Sequence, residues 1–234
     1  MLNKQIKEIG EKELIKRISE YMPNNQTSDD CAFLKTNNDD LLINTDLMVE
    51  NTHFNNKIIS PRDLGWKAVT TNYSDLTSSG CLKTIGINIG LVLSPNTKLS
   101  WVTELYEGIS EALKKYGGVI LGGDFSKGEN TIISVTALGI QSKLKMRRHA
   151  CKPGEIIITT GCHGLSKLGF LLKSDLINDT KIKLSKKLEK QCIDSFCRPE
   201  PKRKVVQQIL YTKNDNLIKE IGCTDSSDGF YQAI

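Results

Sequence analysis

From residue 84 to residue 93 the chain places an apolar side chain at every second position: Ile85, Ile87, Ile89, Leu91 and Leu93, with Gly86, Asn88 and Gly90 between them. A period of two means a pleated strand with one buried face, and the small residues opposite mark close approach by another backbone or a less apolar layer. Segments of helical spacing flank this strand. Ser60-Pro61 is a helix start, serine as the cap and proline at the first helical position, where its missing N–H costs nothing. Leu64, Ala68 and Thr71 continue as one stripe, Asp75 lies one turn further on, and Gly80 closes the segment. Ser100 opens a second helix, predicted to bury Val102, Leu105, Ile109, Ala112, Leu113 and Tyr116 and to stop at Gly117-Gly118. Residues 119–121 and 131–140 read as further strands. Strands interleaved with helices of this kind make an α/β domain.

The flanks extend this reading. Residues 4–22 carry Leu14, Ile15, Ile18 and Met22 at helical spacing, with Gly10 marking a break. Residues 31–34 and 41–44 form a hairpin, and the second strand runs into Thr45-Asp46. The N-terminal domain is therefore placed at 1–140 and joined through the basic stretch 141–153. The second domain, 141–234, begins with a strand over 155–160, a turn at Gly161/Gly164 and a helix through Leu165, Leu168 and Leu172. Helical segments around 183–196 and 200–212 follow. With a single strand, this C-terminal α/β domain reads as incomplete.

Composition excludes several classes. No run approaches the ~18 apolar residues of a membrane span, and the first residues lack the apolar core of a signal peptide, so the expectation is a cytoplasmic protein without a membrane partner. Seven cysteines with no Cys-x-x-Cys pair, and three histidines, disfavour a disulfide framework or a zinc site. The net charge of +5 divides into −3 over residues 1–75 and +8 beyond. Lysine supplies most of the positive charge and aromatics are 6%, which suits a solvated surface better than nucleic acid.

The chemistry lies in the aspartates. Asp29-Asp30 precedes a strand, Asp46 and Asp124 are read as ending strands, Asp75 comes late in a helix, and Asp228 adjoins a glycine. Strand ends in α/β folds converge on one cleft. Carboxylates gathered there repel one another unless cations separate them, and an oxygen-only donor set suits magnesium and hence a polyphosphate. Gly122-Gly123-Asp124 is similar to a phosphate-cradling turn, but no P-loop, dinucleotide or protein-kinase pattern is present.

The stretches Asp29-Asp30-Cys31-Ala32, Asn44-Thr45-Asp46-Leu47-Met48-Val49-Glu50, His53-Phe54, Asp63-Leu64-Gly65-Trp66-Lys67-Ala68, Asn72-Tyr73-Ser74-Asp75-Leu76, Gly122-Gly123-Asp124, Lys152-Pro153-Gly154 and Asp225-Ser226-Ser227-Asp228-Gly229 follow in order along the chain. Together they resemble the thiamine-monophosphate kinase family, within the superfamily of aminoimidazole-ribonucleotide synthetase. The resemblance implies a two-domain fold of that superfamily and a homodimer paired through the N-terminal domain. It also implies ATP- and magnesium-dependent transfer of a phosphoryl group to thiamine monophosphate. Residue by residue, it implies a metal shell of Asp29, Asp30, Thr45, Asp46, Asp75, Asp124 and Asp228. Gly123, Asp124, Arg148 and Ser227 are implied at the nucleotide, with Arg147 as rival to Arg148, and His53 on the substrate side. No proton-abstracting residue is implied, because the acceptor phosphate is already anionic.

The chain departs from the family pattern at several positions. Ser28 stands where the family usually has glycine, Asn44 replaces the serine of a Ser-Thr-Asp run, and Phe125 and Lys127 replace a threonine and an arginine. Family members are also longer, so the resemblance implies a C-terminally truncated chain that lacks strands completing the second domain and part of the thiamine pocket. Two alternatives stay open: another ATP-using enzyme of the superfamily, and an inactive nucleotide-binding remnant.

Overall fold

The computed structural model describes residues 5–23, 26, 28–176, 183–211, 220–227 and 229–233. Helix α1 (Ile6–Ile18) is kinked at Gly10, whose φ of 73° lies in the left-handed region that favours glycine. Next come β1 (Ala32–Leu34), β2 (Leu41–Val49), α2 (Pro61–Ser78), β3 (Cys81–Leu93), α3 (Leu99–Tyr116), β4 (Val119–Lys127) and β5 (Ile132–Gln141). The five strands form one sheet in the order β1-β2-β5-β3-β4, antiparallel except for the β3–β4 pair, which α3 connects as a crossover.

Both helices cover one face of this sheet. Ser60 caps α2 as expected, its hydroxyl accepting from the Asp63 N–H at 3.1 Å. The inward face of β3 contributes Ile87, Ile89, Leu91 and Leu93 to the core, against Leu64, Val69, Leu76, Leu105 and Ile109. Two glycines set how closely the helices pack: a Cβ at Gly65 would overlap the Leu105 carbonyl oxygen, and one at Gly108 the Arg62 carbonyl. Backbones touching in this way leave no room for any side chain at either position.

The remaining elements are β6 (Lys145–Arg147), α4 (Leu165–Lys173), α5 (Lys186–Cys197), α6 (Arg203–Tyr211), β7 (Glu220–Gly222) and the short α7 (Phe230–Ala233). Strands β6 and β7 pair in parallel as a separate two-stranded sheet. Phe196 and Cys197 of α5 join the main core. The Trp66 indole N–H donates to the Pro199 carbonyl at 3.0 Å, and Arg198 lies over the Trp66 ring while pairing with Asp63 and Glu111. The second region is thus docked on α2.

Three expectations are corrected. Residues 155–160 do not pair as a strand with any described residue, and Ile156 and Ile158 are 89% and 84% exposed. An apolar run becomes a strand only beside a ladder partner. Asp46 does not end its strand, because β2 continues to Val49. Asp124 likewise lies inside β4, which runs on to Lys127 against β3. Among the described residues no helix is long and apolar enough to cross a membrane.

Candidate functional site

Asp30, Asp75 and Asp225 reach one point from three parts of the chain, their carboxylate oxygens within 4.8 Å of one another. Asp30 is supplied by the loop before β1, Asp75 by the last turn of α2, and Asp225 by the segment after β7. The Asp30 side chain is only 2% exposed. It accepts from the Ser78 hydroxyl at 2.5 Å and the Asp225 N–H at 3.1 Å, and its other oxygen from the Thr224 hydroxyl at 3.3 Å. Asp75 accepts from the Asn44 amide at 2.9 Å.

Electrostatics in this cluster are unfavourable without a cation. Burial first, and then the charges of Asp225, Asp46 and Asp30, push the Asp75 carboxyl up to about 9, against the pull of the Asn44 hydrogen bond. Burial, and then Asp30, raises Asp225 as well, while a hydrogen bond with Ser227 acts in the opposite direction. One Asp225 oxygen is buried and finds no hydrogen-bond partner among the described residues. Three carboxylates, hard oxygen donors only, with a buried oxygen left unpaired, fit a divalent cation such as magnesium.

The expected site residues separate into groups. Asp46 is in β2 two residues from Asn44, hence on the same sheet face, and its charge acts on Asp75. Asp29, adjacent to Asp30, turns elsewhere: it accepts from the Arg148 backbone N–H at 2.8 Å and pairs with Arg147 at 3.4 Å. Arg147 is nearly buried, over the Phe33 ring. Arg148 is 52% exposed, pairs with Asp30 and donates to the Thr224 hydroxyl at 3.0 Å. Of the two neighbouring arginines, only Arg148 combines contact with the cluster and access to solvent. Ser227 is exposed beside Asp225, and Asp228 lies outside the described residues.

Thr45 and Asp124 are on the other face of the sheet. The Thr45 hydroxyl is exposed and hydrogen-bonded to that of Thr136 at 2.9 Å. Register through Thr136 and Asn88 to Gly122 puts Asp124 on the same open face as Thr45. Asp46 is level with Gly123 across three interstrand spacings, roughly 14 Å at ~4.8 Å each. Gly123 is required sterically, since a Cβ there would overlap the Ile89 carbonyl. His53 is exposed in the turn after β2, its Nδ1 accepting from the Val49 N–H at 3.0 Å. At ~3.3 Å per strand residue, Val49 is roughly 17 Å along β2 from Asn44. Sequence reasoning missed Asp225, although it stands three residues before Asp228 in a stretch already singled out, and it missed the buried pair Asn44 and Asn72.

Comparison with known proteins places this geometry in a family. Residues 28–141 match the model of the AIR synthase related protein, N-terminal domain. Over 228 residues the chain is 42% identical to the thiamine-monophosphate kinase of Prochlorococcus marinus, covering 97% of this chain and 68% of that relative. It is 31% identical to the Synechococcus elongatus thiamine-monophosphate kinase, covering all of this chain and 70% of the relative. A solved structure described as AaThiL complexed with AMPPCP and TMP superimposes with a TM-score of 0.79 at 28% identity, covering 90% of this chain and 66% of that one. The chain therefore spans about two thirds of the length of these relatives. With its acidic cluster and its sheet both in place, the chain belongs to the thiamine-monophosphate kinase family.

Proposed function

We propose that this chain transfers the terminal phosphoryl group of ATP to thiamine monophosphate, giving thiamine diphosphate, with magnesium as the bound cation. The observation that carries this reading is the convergence of Asp30, Asp75 and Asp225, in a fold that superimposes on a relative complexed with AMPPCP and TMP. When bound, magnesium neutralises and aligns the polyphosphate. Asp30, Asp75 and Asp225 hold it, with Asp46 beside them. Arg148 at the rim grips a phosphate oxygen, and Ser227 keeps Asp225 oriented. The acceptor phosphate is already an anion, so positioning and charge neutralisation suffice and no side chain has to remove a proton. His53 marks the substrate side, beyond the end of β2.

Thr45, Gly123 and Asp124 enter this scheme through a second copy of the chain. What supports a homodimer is the uncovered face and edge of the main sheet, where Leu47, Val119 and Phe125 are each more than half exposed. Pairing there would bring Asp124 and the Gly123 backbone to a nucleotide held between two chains. Sedimentation equilibrium should then give twice the mass of one chain.

The test of the reaction is incubation with ATP, magnesium and thiamine monophosphate, followed by chromatography for thiamine diphosphate and ADP in equal amounts. Neither product forming from folded chain would overturn it. A second reading, nucleotide binding without turnover, is favoured by the uncovered Ile156 and Ile158, which leave the second region without a full sheet. It predicts magnesium-dependent ATP binding in calorimetry with no diphosphate.

A further inference from the structure

Behind the acidic cluster is a buried amide pair that neither the family resemblance nor the proposed reaction uses. Asn44 is 8% exposed and Asn72 fully buried. The Asn44 amide nitrogen donates twice, to Asp75 Oδ2 at 2.9 Å and to Asn72 Oδ1 at 3.1 Å. Asn72 is itself fixed, because its amide nitrogen donates to the Ala68 carbonyl at 2.9 Å inside α2. With both of its amide hydrogens engaged, Asn44 has one orientation, and its carbonyl oxygen is buried with no hydrogen-bond partner among the described residues.

An orphaned buried acceptor costs about 1–3 kcal/mol, so its persistence beside three carboxylates calls for a donor that arrives with a ligand. Magnesium keeps several of its waters when bound by carboxylates. We propose that Asn44 is a positioning residue of the cation site: its amide holds the Asp75 carboxylate in place, and its carbonyl accepts from a water that the cation carries. This inference rests on the magnesium reading above and extends it to a residue that is not itself a carboxylate ligand. It also gives the serine-to-asparagine departure at position 44 a role in this chain. A serine hydroxyl, with one hydrogen, could not donate to both Asp75 and Asn72.

The test is binding of Mn2+ to the nucleotide-free chain, followed by electron paramagnetic resonance of the free ion, with circular dichroism confirming the fold of each variant. Asn44→Leu, similar in volume but without polar atoms, should weaken Mn2+ binding about tenfold, in the range found when partners of metal ligands are removed. Asn72→Ala touches no carboxylate, yet it should weaken binding through Asn44, and the Asn44→Leu/Asn72→Ala double variant should bind no worse than Asn44→Leu alone. Should Asn44→Leu not fold, Asn72→Ala carries the test by itself. Mn2+ affinity within twofold of the unaltered chain in the folded variants would overturn the role of Asn44 and leave the cation site standing. An unaltered chain that binds no Mn2+ would overturn both.

Discussion

The layer formed by the main sheet with α2 and α3 and the region from β6 onward are built on different terms. In the first, the inward faces of β2, β3 and β5 are buried with α2 and α3 in one core, and the two helices approach until their backbones touch at Gly65 and Gly108. In the second, two strands of three residues stand alone, and Ile156 and Ile158 face solvent. The second region is ordered largely by what it borrows: Phe196 and Cys197 in the main core, and Pro199 and Arg198 gathered around Trp66. The acidic cluster draws on both, Asp30 and Asp75 from the first and Asp225 from the second. Stability is concentrated in one region, while completion of the site depends on the other being docked.

The largest effect should come from attacking the first region at its closest contact. Gly108→Val puts a branched side chain where the Arg62 carbonyl already lies, which the helices can relieve only by separating. The expected loss is about 3 kcal/mol or more, enough to abolish a cooperative urea transition. Next in size is the dock. Trp66→Ala should cost about 3 kcal/mol and leave the sheet folded, with hydrogen exchange accelerating first over residues 186–211. Uniform acceleration across the sheet instead would mean that the two regions form one cooperative unit.

A smaller effect should appear in the pH dependence of the metal-free chain. The Asp75 carboxyl is raised to about 9, so the folded state binds a proton that the unfolded state releases at ordinary carboxylate pH. Its contribution is fully present at acid pH and is lost as pH climbs toward about 9. The melting temperature should fall over that window and flatten in Asp75→Asn or on adding Mg2+. Smallest of all should be Ile156→Thr/Ile158→Thr, which alters only exposed side chains. Stability should stay within about 0.5 kcal/mol while the solubility limit rises.

How far these regions could be read from sequence follows the same division. The start of α2 and the stop of α3 were legible because Ser60-Pro61 and Gly117-Gly118 act locally, whereas α3 opens at Leu99 without the serine cap that Ser100 suggested. The β3 alternation was legible because one face of the sheet is buried. The run 155–160 was misread because alternation and apolarity do not supply a ladder partner. Gly65 and Gly108 gave no signal in sequence, since their necessity arises between helices. At the site, Asp30 and Asp75 were legible from their motifs. Asp225 was not, because nothing in its short stretch marks it out and only the docking of that stretch on Asp30 brings it to the cluster. The face on which Thr45 and Asp124 lie was not legible, because register, which sequence did not specify, turns both to the open side of the sheet.

The central claim is that Asp30, Asp75 and Asp225, distant in sequence, form one cation site. Anomalous diffraction from crystals grown with Mn2+ and a non-hydrolysable ATP analogue tests it most directly. The account predicts a manganese peak within about 2.5 Å of an oxygen from each of these three side chains. A manganese peak bounded by other residues, or nucleotide bound with no peak at the cluster, would contradict it.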